Sequence, residues 1–190
     1  PAEYSYDGEG TMPPVVKEQY DTECGQVDTY RWVDTDEFIC EESYSSQYLT
    51  IESLEYNNTI KWSNGIGYSA RTISASTDDG ETWTAYTSTS GGTPIATLSK
   101  GGKLLIKGQN NTYAHNRFIS TKQFKVYGNI MSLIYGDNFI GQTTITNDSQ
   151  FRGLFYNCPN ITSAENLILP ATTLADSCYT DMFFNCTNLT

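Results

Sequence analysis

The carboxylates with the clearest chemical potential lie in one short string, STDDGETW, at positions 76–83. Asp78 and Asp79 are the kind of side chain that glycosidases use as acid, base or nucleophile. Glycoside hydrolysis, however, needs two carboxylates that face each other across a cleft. Because Asp78 and Asp79 are neighbours on one turn, they cannot form that pair. We therefore expect the string to fold as a structural turn, and we predict no catalytic residues in this chain.

The spacing of the string, S-x-D-x-G-x-T-W, resembles the Asp-box, a hairpin signature repeated around the propellers of sialidases and related glycosidases. A propeller needs several blades of four strands, and a chain of 190 residues with one such string is too short for it. The turn has a local explanation. We expect an Asp side chain to accept backbone N–H groups, Gly80 to take a positive φ, and Trp83 to bury its ring under the hairpin.

Groups that commonly bind metals are few in this sequence. The single histidine, His115, lies in a polar stretch, and we assign it no role. The acidic cluster within residues 34–42 lacks the glycine-centred ligand spacing of a calcium loop, so we expect no calcium there. We therefore predict no metal ligands and no cofactor. The residues that would bind a partner stay unassigned.

The cysteines lack C-x-x-C pairs, and their odd number fits neither a zinc site nor a dense disulfide framework. A Cys24–Cys40 bridge across a hairpin remains open. Cys158 and Cys186 occupy equivalent places in an internal repeat, where two small core residues are the commoner arrangement and a disulfide is the alternative. The five cysteines are Cys24, Cys40, Cys158, Cys178 and Cys186.

The net charge of −11 is concentrated at the start of the chain. Residues 1–60 hold fourteen acidic and two basic side chains, whereas residues 61–190 hold eight acidic and nine basic ones. Nucleic acids and anionic lipids select basic patches, so neither is an expected partner. No apolar run is long enough for a membrane helix, and no signal pattern is present. Because the first residue is Pro, we expect a processed or cut chain.

The composition changes along the chain predict four segments. Residues 1–14 mix Gly, Pro and acids and predict an acidic linker or arm. The strings VDTYRWV and DEFICEE alternate weakly and predict a short β-ribbon module over residues 15–47. Short β-rich runs separated by turn residues predict a small antiparallel β-sandwich over residues 48–128. Its expected core includes Trp62, Trp83, Ile73, Leu98, Leu105 and Phe124.

The fourth segment, residues 129–190, contains an internal repeat. DSQFRGLFYNCPNIT (148–162) and DSCYTDMFFNCTNLT (176–190) are offset by 28 residues, with seven of fifteen positions identical and four conservatively exchanged. Apolar residues at i, i+3, i+4 and i+7 of each copy predict a helix, and Asp148 and Asp176 stand at its N-cap. NLILP (166–170) predicts a short strand. Such a period is typical of leucine-rich repeats, whose units must stack.

The repeat segment SAENLILPATTLADSCYTDMFFNCTNLT resembles the repeat of BspA-like leucine-rich-repeat surface proteins of anaerobic gut bacteria. The body from about Tyr48 to Phe139 resembles the β domain that precedes such arrays. More loosely, CGQVDTYRWVDTDEFICEE resembles short modules in surface and tail proteins of phages that infect these bacteria. The resemblance implies a mainly β chain in which a small antiparallel β-sandwich is followed by the start of a leucine-rich-repeat α/β solenoid.

The same resemblance implies attachment or surface display rather than a reaction. Arrays of this kind run for several repeats, whereas this chain stops at Thr190, so we expect a fragment or an end covered by another subunit. The expected function is non-catalytic binding or adhesion at an extracellular site, either a virion tail or a bacterial cell surface. Expected partners are a protein or glycan receptor and other subunits, with no direct membrane insertion. A lectin-like module is the alternative, and a glycosidase is the least expected.

Overall fold

The computed structural model describes the backbone of two strands within residues 29–41, together with residue 44 and residues 46–190. The chain divides into two compact units, residues 1–46 and 47–190. In the first unit, strands β1 (Thr29–Val33) and β2 (Glu37–Glu41) pair antiparallel. This pairing confirms the two short strands predicted there. Three predictions concern residues or side chains that the structure does not describe. They are the arm over residues 1–14, the Cys24–Cys40 bridge and the acidic cluster within residues 34–42.

The regular secondary structure of the second unit is mainly short strands, because its sequence alternates β-branched or aromatic residues with turn-forming ones. One short helix, α1 (Ser132–Tyr135), continues into a 3-10 turn at Gly136–Asn138. The strands are β3 (Leu49–Ser53), β4 (Asn58–Asn64), β5 (Thr72–Ser76), β6 (Thr84–Thr87), β7 (Thr93–Leu98), β8 (Lys103–Lys107), β9 (Asn116–Ser120), β10 (Phe124–Asn129), β11 (Ile161–Ser163) and β12 (Leu167–Ile168).

The strands of the second unit form two sheets. In the larger sheet the order is β11-β10-β3-β8-β5-β6, and β12 also pairs with β10. The pairs β10–β3, β3–β8, β8–β5 and β5–β6 are antiparallel. Strands β11 and β12 run parallel to β10. The smaller sheet, β7-β4-β9, is antiparallel. The unit is therefore mainly β, and the strands β3 to β10 pair antiparallel with one another as predicted.

One core of buried apolar side chains joins both sheets and continues into the C-terminal segment. The predicted core residues Trp62, Ile73, Leu98 and Phe124 are buried. The prediction for Leu105 is wrong, because strand β8 turns its two neighbours Leu104 and Ile106 inward and leaves Leu105 half-buried. Side chains alternate between the faces of a strand, so two adjacent leucines cannot both face the core. Trp83 is also only half-buried.

Strand β9 is not predicted by the sequence, in which its surroundings read as a polar loop. Its residues NRFIS alternate in burial, with Asn116, Phe118 and Ser120 buried and the residues between them half-buried. Two of the three inward positions are polar, so the hydrophobic alternation that identifies a strand is missing. Asn116 is satisfied in the interior because its amide bonds Ser88 Oγ, Ser69 O and Ala114 O.

The helices predicted in the two repeat copies are not present. Residues 148–157 and 176–185 instead form consecutive turns. A positive φ recurs at every fourth residue, and the α-helix has no place for left-handed residues. Asp148 and Asp176 consequently cap no helix. The positive-φ residues are Ser149, Gly153 and Asn157 in the first copy and Ser177, Asp181 and Asn185 in the second.

The apolar positions of the repeat are nevertheless where the pattern placed them. Phe151, Leu154, Phe155 and Cys158 are all buried in the first copy. A coil of turns with a four-residue period keeps i and i+4 on one face, as a helix of 3.6 residues per turn also does over this length. Burial periodicity therefore identified the correct face, while the backbone geometry that produces it is different. NLILP contains strand β12, which confirms the short strand predicted there.

Candidate functional site

The STDDGETW string forms a tight turn between β5 and β6, and its polar side chains form hydrogen bonds within the turn. Ser76 Oγ donates to Asp78 Oδ1 at 2.6 Å and accepts the Gly80 N–H at 2.9 Å. Asp78 also accepts the backbone N–H of Thr82 at 3.0 Å and its hydroxyl at 2.6 Å. Gly80 has a φ of 92°. These contacts confirm the predicted roles of the Asp side chain and of Gly80.

The same hydrogen bonds fix the charge of the turn. The hydrogen bond from Ser76, which has the largest effect, and the hydrogen bonds from Thr82 lower the pKa of Asp78 from 3.8 to about 2. A carboxylate that accepts several hydrogen bonds is stabilised as an anion. A general acid near neutral pH requires the opposite shift, as in the raised carboxyl pKa of glycosidases. The local chemistry of Asp78 is therefore that of a turn-stabilising anion.

Trp83, the last residue of the string, anchors the turn against the sheet. Its ring meets Tyr48 edge-on with 4.9 Å between centroids, and Lys107 Nζ lies 4.0 Å from the Trp83 centroid. Asp137 Oδ1 bonds both Lys107 Nζ at 2.6 Å and the Tyr48 hydroxyl at 2.7 Å. Burial and Asp137 raise the pKa of Tyr48 to about 12. The cluster joins the turn, β8 and the 3-10 turn through charge, hydrogen bonds and aromatic contact.

The two repeat copies are joined by backbone hydrogen bonds. Within the first copy, the N–H groups of Arg152, Leu154 and Tyr156 donate to the carbonyl three residues back. The N–H groups in between donate to the second copy, at 2.8 Å from Phe151 to Cys178 O and 2.9 Å from Phe155 to Met182 O. A regular helix would use all of these groups internally. The alternation of turns is therefore what leaves every second N–H available for the neighbouring copy.

A further level of chain extends the same stack on the other side of the first copy. The N–H groups of Tyr113, His115 and Phe118 donate to Gln150 O, Arg152 O and Leu154 O at 2.7, 3.1 and 3.0 Å. Residues 113–118 include the first three residues of β9, so the repeat copies continue directly from the smaller sheet. We call the three levels, residues 113–118, 149–157 and 177–185, the stacked coil.

Two columns of aromatic rings run through the stacked coil, and both begin at Trp62. In one column, Trp62 meets Phe118 at 4.6 Å between centroids, and Phe118 meets Phe155 at 5.8 Å. Phe183 continues it at 5.3 Å from Phe155, with the rings 3° from parallel. The other column runs through Tyr113, Phe151 and Tyr179, at 6.0, 6.3 and 5.7 Å between successive centroids.

Equivalent side chains are also paired on the outer face of the stacked coil. Asn185 Nδ2 donates to Asn157 Oδ1 at 2.9 Å, and the rings of Tyr156 and Phe184 stack at 5.1 Å. Phe184 is 55% exposed. The outer face thus presents side chains in rows, each row formed by the same position in successive copies.

The cysteines of the repeat are small core residues and not a disulfide. Cys158 and Cys186 are both free thiols. Cys158 is buried, and burial followed by the proximity of Cys186 raises its pKa to about 11. Cys186 Sγ lies 3.0 Å from Phe155 O, which it contacts as a weak donor. Of the two alternatives left open by the sequence, packing is the one found.

Two grooves in the described part of the chain are open to solvent. One, of about 450 Å³, is lined mainly by hydroxyl-bearing and small side chains of β5, β6, β7 and the turns beside them, with Lys103 also among its lining residues. The other, of about 370 Å³, lies against the stacked coil and contains His115, Arg117, Arg152 and Asp181. We call the second the arginine groove. It combines two guanidiniums with aromatic side chains, so it is the better candidate for recognition of a ligand.

His115 occupies the arginine groove in an unusual backbone conformation. Its φ is 58°, and its ring stacks on that of Tyr68 at 3.8 Å between centroids. Burial and the neighbouring Arg152 lower the pKa of His115, which favours the neutral imidazole. No local sequence pattern indicates this placement. Residues far apart in the chain meet here because the levels of the coil stack on one another.

Two classes of feature are absent from the described part of the chain. Among the side chains that the structure describes, those of residue 44 and residues 46–190, no group of three His, Cys, Asp or Glu is arranged to hold a metal ion. No helix among the described residues is long and apolar enough to span a membrane.

Fold and site together define a mainly β protein whose second unit continues into an in-register stack of repeat copies. Compared with known proteins, the chain matches no protein-family model, no curated protein and no solved structure. The proposed function below therefore rests on the geometry and the sequence of this chain alone.

Proposed function

We propose that this chain is a non-catalytic binding protein displayed at a surface, as a component of a phage tail or of a bacterial cell envelope. The observation that carries the proposal is the in-register stacking of the repeat copies. Stacked repeats produce an extended surface in which equivalent positions recur at fixed spacing, and repeat proteins commonly use such surfaces for recognition. The rows formed by Asn157 with Asn185 and by Tyr156 with Phe184 are the start of such a surface.

The fold assignment that belongs to this proposal is a small β-sandwich followed by the first units of a BspA-like leucine-rich-repeat solenoid. The sequence resemblance of the 28-residue repeat supports it, together with the hydrogen bonds that link equivalent levels. Each level buries its aromatic residues against the next, which is the packing that a solenoid requires. The unit proposed here is a coil of turns with a short strand, and not a helix with a strand.

The non-catalytic part of the proposal is supported by the Asp-box turn. Both oxygens of Asp78 accept hydrogen bonds from Ser76 or Thr82. We expect the purified chain to leave a fluorogenic sialoside intact under conditions in which a bacterial sialidase cleaves it. Cleavage that disappears in Asp78→Asn would replace binding with glycosidase activity as the function of this chain.

Immunogold electron microscopy with an antibody against residues 47–190 tests where the protein is displayed. Host cells are compared with and without phage. Gold on virion tails identifies a tail component, and gold on uninfected envelopes identifies a bacterial adhesin. Gold confined to the cytoplasm in both samples contradicts surface display.

A carbohydrate-binding module is the second candidate function. The observation that favours it is the arginine groove, in which guanidiniums, an imidazole and a tyrosine lie together in about 370 Å³. Sugar-binding sites need polar groups that fix hydroxyls beside apolar surfaces that pack on the ring. Binding of the purified chain to a glycan array tests this candidate directly, since a purely protein-directed adhesin gives no signal there.

A further inference from the structure

The arginine groove is assembled by all three levels of the stacked coil. His115 and Arg117 come from the first level, Arg152 and Tyr156 from the second, and Asp181 from the third. The hydrogen bond from His115 N–H to Arg152 O, at 3.1 Å, joins the first two levels inside the groove. The groove therefore exists only when the levels are stacked, and its walls are held by the backbone ladder.

Both guanidiniums of the groove retain unused hydrogen-bonding capacity. The Nε atoms of Arg117 and Arg152 are shielded from solvent and meet no acceptor among the described residues. Their other contacts are long: Arg117 Nη1 donates to Tyr156 O at 3.4 Å, and Arg152 Nη2 lies 3.9 Å from Asp181 Oδ2. A guanidinium has five N–H donors, and a shielded donor without an acceptor is destabilising. The Nη groups, whose contacts are this long, are the donors that a ligand with acceptor oxygens in the groove would satisfy.

The charge of the groove favours an anion. Arg117 and Arg152 contribute two positive charges, and among the described residues Asp181 is the only acidic side chain that lines the groove. The chain as a whole has a net charge of −11, so this excess of positive charge is a local feature. The fork of N–H groups on a guanidinium matches a carboxylate in a bidentate arrangement.

Aromatic surfaces border the same arginines. Tyr156 lines the groove, and the Arg117 guanidinium carbon lies 5.9 Å from the centroid of its ring. His115 also lines the groove and stacks on Tyr68, which is 48% exposed. Rings of this kind offer an apolar face with a polar edge. A pyranose has the complementary pattern of an apolar face of C–H groups surrounded by hydroxyls.

We propose that the arginine groove binds a carboxylated sugar, with its carboxylate on Arg117 and Arg152 and its ring against His115 and the edge of Tyr156. The proposal deepens the binding function proposed above and rests on it, because it names the ligand class of one site on the display surface. Asp181 competes with the ligand for Arg152, and the long 3.9 Å contact makes it a weak competitor.

Methyl β-glucuronide and methyl β-glucoside form a matched pair of probes, since they differ only in carrying a carboxylate or a hydroxymethyl group on C5. Binding of each to the full chain is measured by NMR titration. We expect the glucuronide to bind at least about tenfold more tightly than the glucoside, because it makes charged hydrogen bonds with the arginines. Equal binding of the two sugars, or no binding of either, overturns the proposal.

Three variants and a control locate the binding. Arg117→Gln and Arg152→Gln each weaken binding of the glucuronide by about 10- to 100-fold, the range of a lost charged hydrogen bond. Asp181→Asn removes the competitor for Arg152 and tightens binding. Lys122→Gln, which removes an exposed positive charge that does not line the groove, leaves the affinity unchanged. Unchanged affinity in Arg117→Gln and Arg152→Gln, with the native circular dichroism spectrum retained, contradicts the assignment.

Two further measurements separate this proposal from alternatives. Competition by inorganic sulfate as strong as that by the glucuronide means a simple anion site and overturns the sugar assignment. Attachment of the full chain to the target surface is scored in parallel with glucuronide binding. If the chain attaches but does not bind the glucuronide, the groove proposal fails while the proposed function stands. If it binds the glucuronide but attaches to no surface, the proposed function fails.

Discussion

Phe155 and Phe183 lie face to face, with 5.3 Å between ring centroids and planes 3° from parallel. They occupy the same position in consecutive repeat copies, 28 residues apart in the sequence. Phe118 continues the column from Phe155 to Trp62, in the smaller sheet. The repeat copies and the sheets therefore share one core, and changes within the column are expected to affect the stability of the whole second unit.

The first prediction concerns this column. Phe155→Ala removes a fully buried ring, and we expect it to lower the free energy of unfolding by about 3–5 kcal/mol. Phe184→Ala, in the second copy and 55% exposed, is the control and should cost much less. Urea unfolding followed by tryptophan fluorescence measures both variants. Equal losses in the two variants would mean that the column contributes no more than ordinary surface contacts.

The second prediction concerns Gly128 in strand β10. Its φ is 82°, and a Cβ atom there would lie 2.2 Å from the carbonyl oxygen of Tyr48. Gly67 has a similar φ of 84°, but a Cβ atom there would meet nothing within 4 Å. We expect Gly67→Ala to cost about 1 kcal/mol for the left-handed backbone and Gly128→Ala about 4 kcal/mol because of the added clash. Similar melting temperatures for the two variants would contradict this account.

The third prediction concerns the charge of the STDDGETW turn. The carboxyl carbon of Asp78, followed by NMR, should titrate with a midpoint of about 2, and Ser76→Ala should raise that midpoint toward 3.8. Because the folded pKa is the lower one, the contribution of Asp78 to stability is present above pH 3.8 and disappears as the pH falls through 2. Thr82→Ser keeps both hydrogen-bond donors and should leave the midpoint low. A midpoint near 3.8 in the unchanged protein is incompatible with the turn described.

The fourth prediction concerns the thiols of the repeat. Cys158 is buried and its pKa is raised to about 11, so its thiolate is scarce near neutral pH. We expect iodoacetamide to modify the half-buried Cys186 faster than Cys158, with mass spectrometry of the peptides as the readout. In urea the two rates should become equal. Faster modification of Cys158 in the native protein would show that the core around it opens readily.

The sequence predicted the β-rich body well because its strands are short, alternate in polarity and are separated by turn residues. It predicted the stacking of the repeat copies for a related reason, since equivalent apolar residues can be buried only against each other. The backbone of the repeat was predicted wrongly. A coil of turns with a four-residue period places its apolar residues at the same positions as a helix does. The two backbones differ in the residues with a left-handed conformation, such as Ser149 and Asn157. Neither residue type excludes a helix by itself.

The arginine groove could not be predicted from the sequence. Arg117 and Arg152 are separated by 35 residues (117 to 152), and no local pattern links them. They meet because the hydrogen bonds between Tyr113 and Gln150 and between His115 and Arg152 set the register of two levels. Trp83 and Leu105 illustrate a smaller failure of the same kind, since the burial of each depends on which face of a strand the tertiary structure turns inward.

The alternation of N–H groups in the stacked coil has a consequence for how such a chain tolerates insertions and deletions. In this segment, alternate N–H groups donate within the copy and to the second copy. Adding one residue between Ser149 and Asn157 would exchange these two sets of donors, so that N–H groups now directed at the second copy would point into local turns. Adding four residues would restore both the phase of the donors and the spacing of the left-handed residues. Length variation within a coil segment is therefore expected in steps of four, whereas no such period is expected for insertions in the exposed turn around Glu165, between β11 and β12.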